Sequence, residues 1–133
     1  MDEISVHIEV EVNPTESEQK VKEAVEKIFG AMSTQAKPLH KGSLLLAEAT
    51  GQEALAKFHD ILQREHIRAA ARAVFLQGLE RTSVNFCLNK QVASAGHVSF
   101  SQEVAESPLG PIKVKIKSEN PRQVVDWLTA MNP

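Results

Sequence analysis

Apolar and polar residues alternate from Glu3 to Val12, with Ile4, Val6, Ile8, Val10 and Val12 on one side and Glu3, Ser5, His7, Glu9 and Glu11 on the other. A period of two marks a strand with one buried face. Asn13-Pro14 stops it, because proline has no N–H to give a ladder, and Thr15-Glu16-Ser17-Glu18 has the spacing of a capping box. The period then becomes helical, with Val21, Ala24, Val25, Ile28 and Phe29 forming one stripe and Gly30 placed to end it. Beyond a polar loop, Leu44–Ala47 reads as a more fully buried strand, and Thr50-Gly51-Gln52-Glu53 repeats the capping spacing.

Leu55, Phe58, Ile61 and Leu62 define one helical stripe; Ile67, Ala71, Val74, Phe75 and Leu79 define another in a different phase. The phase shift predicts two helices separated near Glu65-His66. Period two returns at Thr82, Val84, Phe86 and Leu88, then around Val98 and Phe100, and again where Ile112, Val114 and Ile116 alternate with Lys113, Lys115 and Lys117. Asn120-Pro121 opens a closing helix whose Val124, Val125, Leu128 and Met131 face inward. The order is β-α-β-α-α-β-β-β-α. It predicts one α+β domain over residues 1–133, with a mixed or antiparallel sheet and helices packed on one face.

The 133 residues, 42% hydrophobic and 24% charged, suffice for a core without disulfides or a structural metal. A single cysteine, Cys87, excludes an internal disulfide and a cysteine-based zinc cage. The acidic beginning MDEISVHIEV is unlike a signal peptide, and no apolar run reaches the roughly 20 residues of a membrane helix, so a cytoplasmic protein without a membrane partner is expected. The formal net charge of -2 conceals an asymmetry: residues 1–63 carry 6 Lys+Arg against 11 Asp+Glu, and residues 64–133 carry 9 against 6. A polyanion site therefore belongs in the second half.

Within that half, Arg64, Arg68 and Arg72 recur every four residues, each step rising about 6 Å and turning only ~40° on a helix. Arginine's planar fork suits phosphate, and Arg81 and Lys90 bracket the following strand, so these five residues are the candidate nucleic-acid-binding set. The competing reading makes them solvated or salt-bridged helix residues, with Glu65 and Glu80 as available partners. Lys113, Lys115 and Lys117 share one strand face, a row that can meet RNA backbone or keep an exposed sheet face soluble, although lysine rows more commonly guard a sheet edge. The phenylalanines fall in core phase, which leaves no exposed aromatic platform for bases.

His59 and His66, seven apart, lie about 10 Å apart along a continuous helix and so do not share one ion. Cys87 reads as a packed thiol without an activating base, and the scattered glycines form no phosphate-binding loop. Neither a cofactor nor a catalytic residue is expected.

Three segments taken together, Ile67-Arg68-Ala69-Ala70-Ala71-Arg72, Asn89-Lys90-Gln91-Val92-Ala93 and Ser107-Pro108-Leu109-Gly110-Pro111-Ile112, resemble the archaeal uncharacterised protein family 0201. The resemblance covers the whole chain. It implies a fold like that of the fifth large-subunit ribosomal protein and an RNA-binding role resting on that likeness. The expected function is thus non-enzymatic association with RNA through phosphates, by a protein that forms a homodimer. The alternative is an assembly module without a nucleic-acid role, in which the acidic face of Glu3, Glu9 and Glu11 or the lysine strand meets a partner.

Overall fold

The computed structural model describes residues 3–101 and 110–130. Its elements are β1 (Ser5–Val12), α1 (Glu18–Phe29), β2 (Ser33–Pro38), β3 (Ser43–Thr50), a 3-10 turn (Gln52–Leu55), α2 (Ala56–Arg64), α3 (Arg68–Gln77), β4 (Ser83–Asn89), α4 (Lys90–Ser94), β5 (Phe100–Ser101), β6 (Pro111–Lys117) and α5 (Pro121–Leu128). The strands form one sheet in the order β2-β3-β1-β6-β4-β5, and every pairing is antiparallel. Of the two arrangements left open by periodicity, the structure selects the antiparallel one.

Register carries the alternation of each strand across the sheet. Ile8 lies between Ala47 and Val114, and Val10 between Leu45 and Ile112, which gives continuous apolar rows on one face. The apolar stripes of α1, α2, α3 and α5 close over those rows in one core. At its centre the fully buried Phe58 stacks on Phe86 at 5.7 Å and meets Phe29 at 5.0 Å. A buried ring of this kind stabilises the domain by about 3–5 kcal/mol relative to alanine.

Local chemistry explains most element ends. Ser17, not Thr15, caps α1, its hydroxyl accepting from the Lys20 N–H. The second capping spacing starts the 3-10 turn without a side-chain cap and only then leads into α2. Between α2 and α3, His66 adopts φ 57, while Ile67 N–H reaches Leu62 carbonyl and His66 N–H reaches Gln63 carbonyl. This pair of bonds is the Schellman arrangement, with histidine where glycine is usual. It produces the break predicted from the phase shift.

Several expectations need correction. The polar stretch Ser33–Pro38 is a strand, not a loop, pairing β3 at the sheet edge. Leu44 and Leu46 are only half-buried, since β3 buries Leu45 and Ala47 toward the core and turns its other leucines to the opposite face. Lys90–Ser94 adds a short helix capped by Asn89, whose side chain accepts from the Val92 N–H. Met131 and Ser107-Pro108-Leu109 lie outside the described residues.

Candidate nucleic-acid interface

The break at His66 separates Arg64, the last residue of α2, from Arg68, the first of α3. The four-residue spacing therefore does not lay Arg64, Arg68 and Arg72 along one helix. Arg68 Nη1 donates to the Ala130 carbonyl at 2.8 Å; Arg72 Nη1 donates to Asp126 at 2.9 Å and to the Thr129 hydroxyl at 3.1 Å. Both α3 arginines thus brace α3 against α5 and the residues that follow it. The anticipated acidic partners are engaged elsewhere: Glu65 lies 2.9 Å from His97 Nδ1, and Glu80 accepts from Asn85 at 2.9 Å. Among the described residues, Arg64 and Arg81 are exposed and have no hydrogen-bonded or ionic partner.

Lys90 occupies a different environment. Only 5% exposed, it donates to Glu16 at 2.9 Å and to the Glu11 carbonyl at 2.6 Å. The lysine ties α4 to the junction between β1 and α1. Burial pushes the Glu16 carboxyl up, but hydrogen bonds from the Asn13 backbone and side chain, together with the Lys90 ammonium, outweigh it and hold the group below the usual carboxylate range.

The sheet's second face has a different character. No helix among the described residues covers Glu9, Glu11, Lys113, Lys115 or Lys117, all of which are exposed. β6 lies in the middle of the sheet, paired with β1 on one side and β4 on the other, so its lysines do not guard an edge. They stand about 6.8 Å apart along the strand, two residues of rise each. None has an ion-pair partner among the described residues. Across the ladder, Lys113 lies beside Glu9 and Cys87, Lys115 beside His7 and Asn85, and Lys117 beside Ser5 and Ser83.

This face forms a trough of about 1330 Å³. β2 supplies one wall through Ser33, Thr34 and Gln35, and the end of α3 with β5 supplies the other through Gln77 and Phe100. Six strands at ~4.8 Å spacing make the sheet about 24 Å across. The far wall depends on a close approach: Asn85 N–H donates to Gly78 carbonyl at 2.9 Å, and a Cβ on Gly78 would stand 1.7 Å from the Asn85 oxygen. Glycine is the residue that lets the end of α3 meet β4.

Within the trough, Glu9 and Glu48 lie on β1 and β3, with Glu48 3.6 Å from His7, Lys113 and Lys115 lie on β6, and Glu80 stands on the far side, accepting from Asn85 at 2.9 Å. Sequence reasoning ranked the lysine row below the arginines as edge protection, because a strand's place in a sheet is not written in its own alternation. His59 is stacked on Trp127 at 4.6 Å, and no group of three or more His, Cys, Asp or Glu residues suited to a metal ion occurs among the described residues. No described helix is long and apolar enough to cross a membrane.

A family model described as RNA binding matches residues 5–118. The chain is 42% identical over 126 residues to a UPF0201 protein of Pyrobaculum arsenaticum, an alignment covering 94% of this chain and 88% of that one. It is 41% identical over 122 residues to a UPF0201 protein of Sulfurisphaera tokodaii, covering 92% and 84%. Its structure matches the crystal structure of the UPF0201 protein from Methanococcus jannaschii with a TM-score of 0.84 at 28% identity, covering 94% of this chain and 98% of the other. These matches agree with the resemblance carried by the three sequence segments. The chain belongs to the family described as RNA binding, with archaeal UPF0201 proteins as its relatives.

Proposed function

We propose that the protein is a non-enzymatic, cytoplasmic RNA-associated protein that holds RNA phosphates on the uncovered face of its sheet. The observation that carries this reading is the row Lys113, Lys115 and Lys117 on a central strand, exposed and without an ionic partner among the described residues. Edge protection does not account for cations in the middle of a sheet. The family's description as RNA binding supplies the ligand class. Arg81 precedes Ser83, which pairs with Lys117, and so extends the row at one end. Arg64 and Arg68 add long-range attraction, whereas Arg72 and Lys90 serve the fold.

The test is RNA binding by the purified protein at low and at physiological salt. Each phosphate contact with a single strand contributes about -0.7 to the slope of log affinity against log salt, so three lysines should give about -2. Replacing Lys113, Lys115 and Lys117 by alanine together should remove that slope and most of the affinity. Absence of binding at low salt refutes the proposal.

The side-by-side placement of Lys113 and Glu9 favours one second reading, a homodimer through the same face. A two-fold axis parallel to the strands would set Lys113 of each copy over Glu9 of the other. Light scattering across concentration and salt separates the two, since this dimer should dissociate as salt rises and a monomer at every condition removes it.

A further inference from the structure

Resting on the RNA reading above, we infer that the trough takes unpaired RNA, with one backbone along β6 and the bases turned toward β1 and β3. The lysine row is single. On one side it is flanked by Glu9, His7 and Ser5, with Glu48 beyond His7, and on the other by Cys87, Asn85 and Ser83, where Asn85 holds the carboxylate of Glu80. One line of cations neutralises one backbone, and a duplex laid across the trough would bring its second backbone against the carboxylates of Glu9 and Glu48. Those same carboxylates accept hydrogen bonds from the amino and imino groups of unpaired bases, which a duplex keeps for its own pairing.

The remaining lining agrees with this division. Gln35 and Gln77 place amides, able both to donate and to accept, on the opposing walls. Phe100 pairs with Leu88 and packs its ring on Phe75 and Phe86, so it belongs to the core, and the trough offers hydrogen-bonding groups to bases in place of an aromatic platform. The spacing of alternate lysines, about 6.8 Å, suits successive phosphates of an extended strand.

The experiment compares a single-stranded RNA of about ten nucleotides with the same sequence annealed to its complement, by fluorescence anisotropy at one low salt concentration. The full-length protein is used beside a Glu9→Gln, Glu48→Gln double variant. Both positions are solvent-exposed, and the replacements are close to isosteric. The single strand should bind at least tenfold more tightly than the duplex. Removing two negative charges from a surface that only attracts phosphate would raise affinity for both RNAs. If the carboxylates accept from bases, the double variant instead loses threefold or more toward the single strand while its affinity for the duplex rises. Equal binding of the two RNAs, or a variant tightened toward both, overturns the inference and leaves RNA association standing. No binding of either RNA by the unmodified protein removes both.

Discussion

Replacing Lys90 by methionine keeps the length of a side chain that is 5% exposed and removes its charge. The loss includes the charge-assisted hydrogen bonds to Glu16 at 2.9 Å and to the Glu11 carbonyl at 2.6 Å. Glu16 keeps its bonds from the Asn13 N–H at 3.0 Å and Asn13 Nδ2 at 2.8 Å. The penalty should therefore fall near the lower end of that for breaking a buried pair, about 3 kcal/mol, or roughly 10 °C in Tm. Because the folded-state pKa of Glu16 is depressed, its contribution is complete above the unfolded value near ~4.3 and disappears as pH falls through the folded value. The gap between wild type and variant in urea unfolding should accordingly be largest at neutral pH and close on acidification. A gap under about 1 kcal/mol at pH 7, or one unchanged in strong acid, refutes the role assigned to this pair. RNA affinity of the folded variant should stay within about twofold of wild type, since the ammonium is spent inside the fold.

Gly78→Ala forces a methyl carbon against the Asn85 backbone, which a rotamer change does not relieve, and should cost about 3 kcal/mol in urea unfolding. His66→Gly removes the strain of a left-handed histidine but adds freedom to the unfolded chain, giving a net gain of about 0.5 kcal/mol; a loss above about 1 kcal/mol would contradict the helix-end assignment. A double-mutant cycle between Arg72 and Asp126 should return about 0.5–1 kcal/mol of coupling in thermal unfolding, as expected of a half-exposed pair, with little change in RNA affinity.

Elements with a continuous period were legible in the sequence, because alternation in β1 and β6 and the stripes of α1, α2 and α3 are direct consequences of one-sided burial, while β4, buried on both faces, still alternates apolar with small or polar side chains. β2 was not. It is exposed along nearly its whole length, so no burial pattern marks it, and its place comes from pairing with β3. β5 spans two residues, too few for a period, yet Phe100 packs against the core as its phase predicted. For the candidate site, the asymmetry of charge pointed to the half of the chain that supplies the lysine row. Spacing alone then favoured the arginines, since it carries no information about Asp126, Thr129 or Glu16, which lie far away in sequence and close in space.

The position of β6 also bears on how the chain assembles. β1 pairs with β3 and, through it, with β2, all nearby in sequence, but its other edge is filled by a strand from the opposite end of the chain. Until residues near Ile116 are available, β1 and β4 each present an open row of backbone donors and acceptors. The two halves of the sheet are separate before that moment and joined after it. Folding should therefore be slow for the chain's size, limited by closure of the longest loop, and a nascent or clipped chain lacking β6 should be prone to edge-to-edge aggregation.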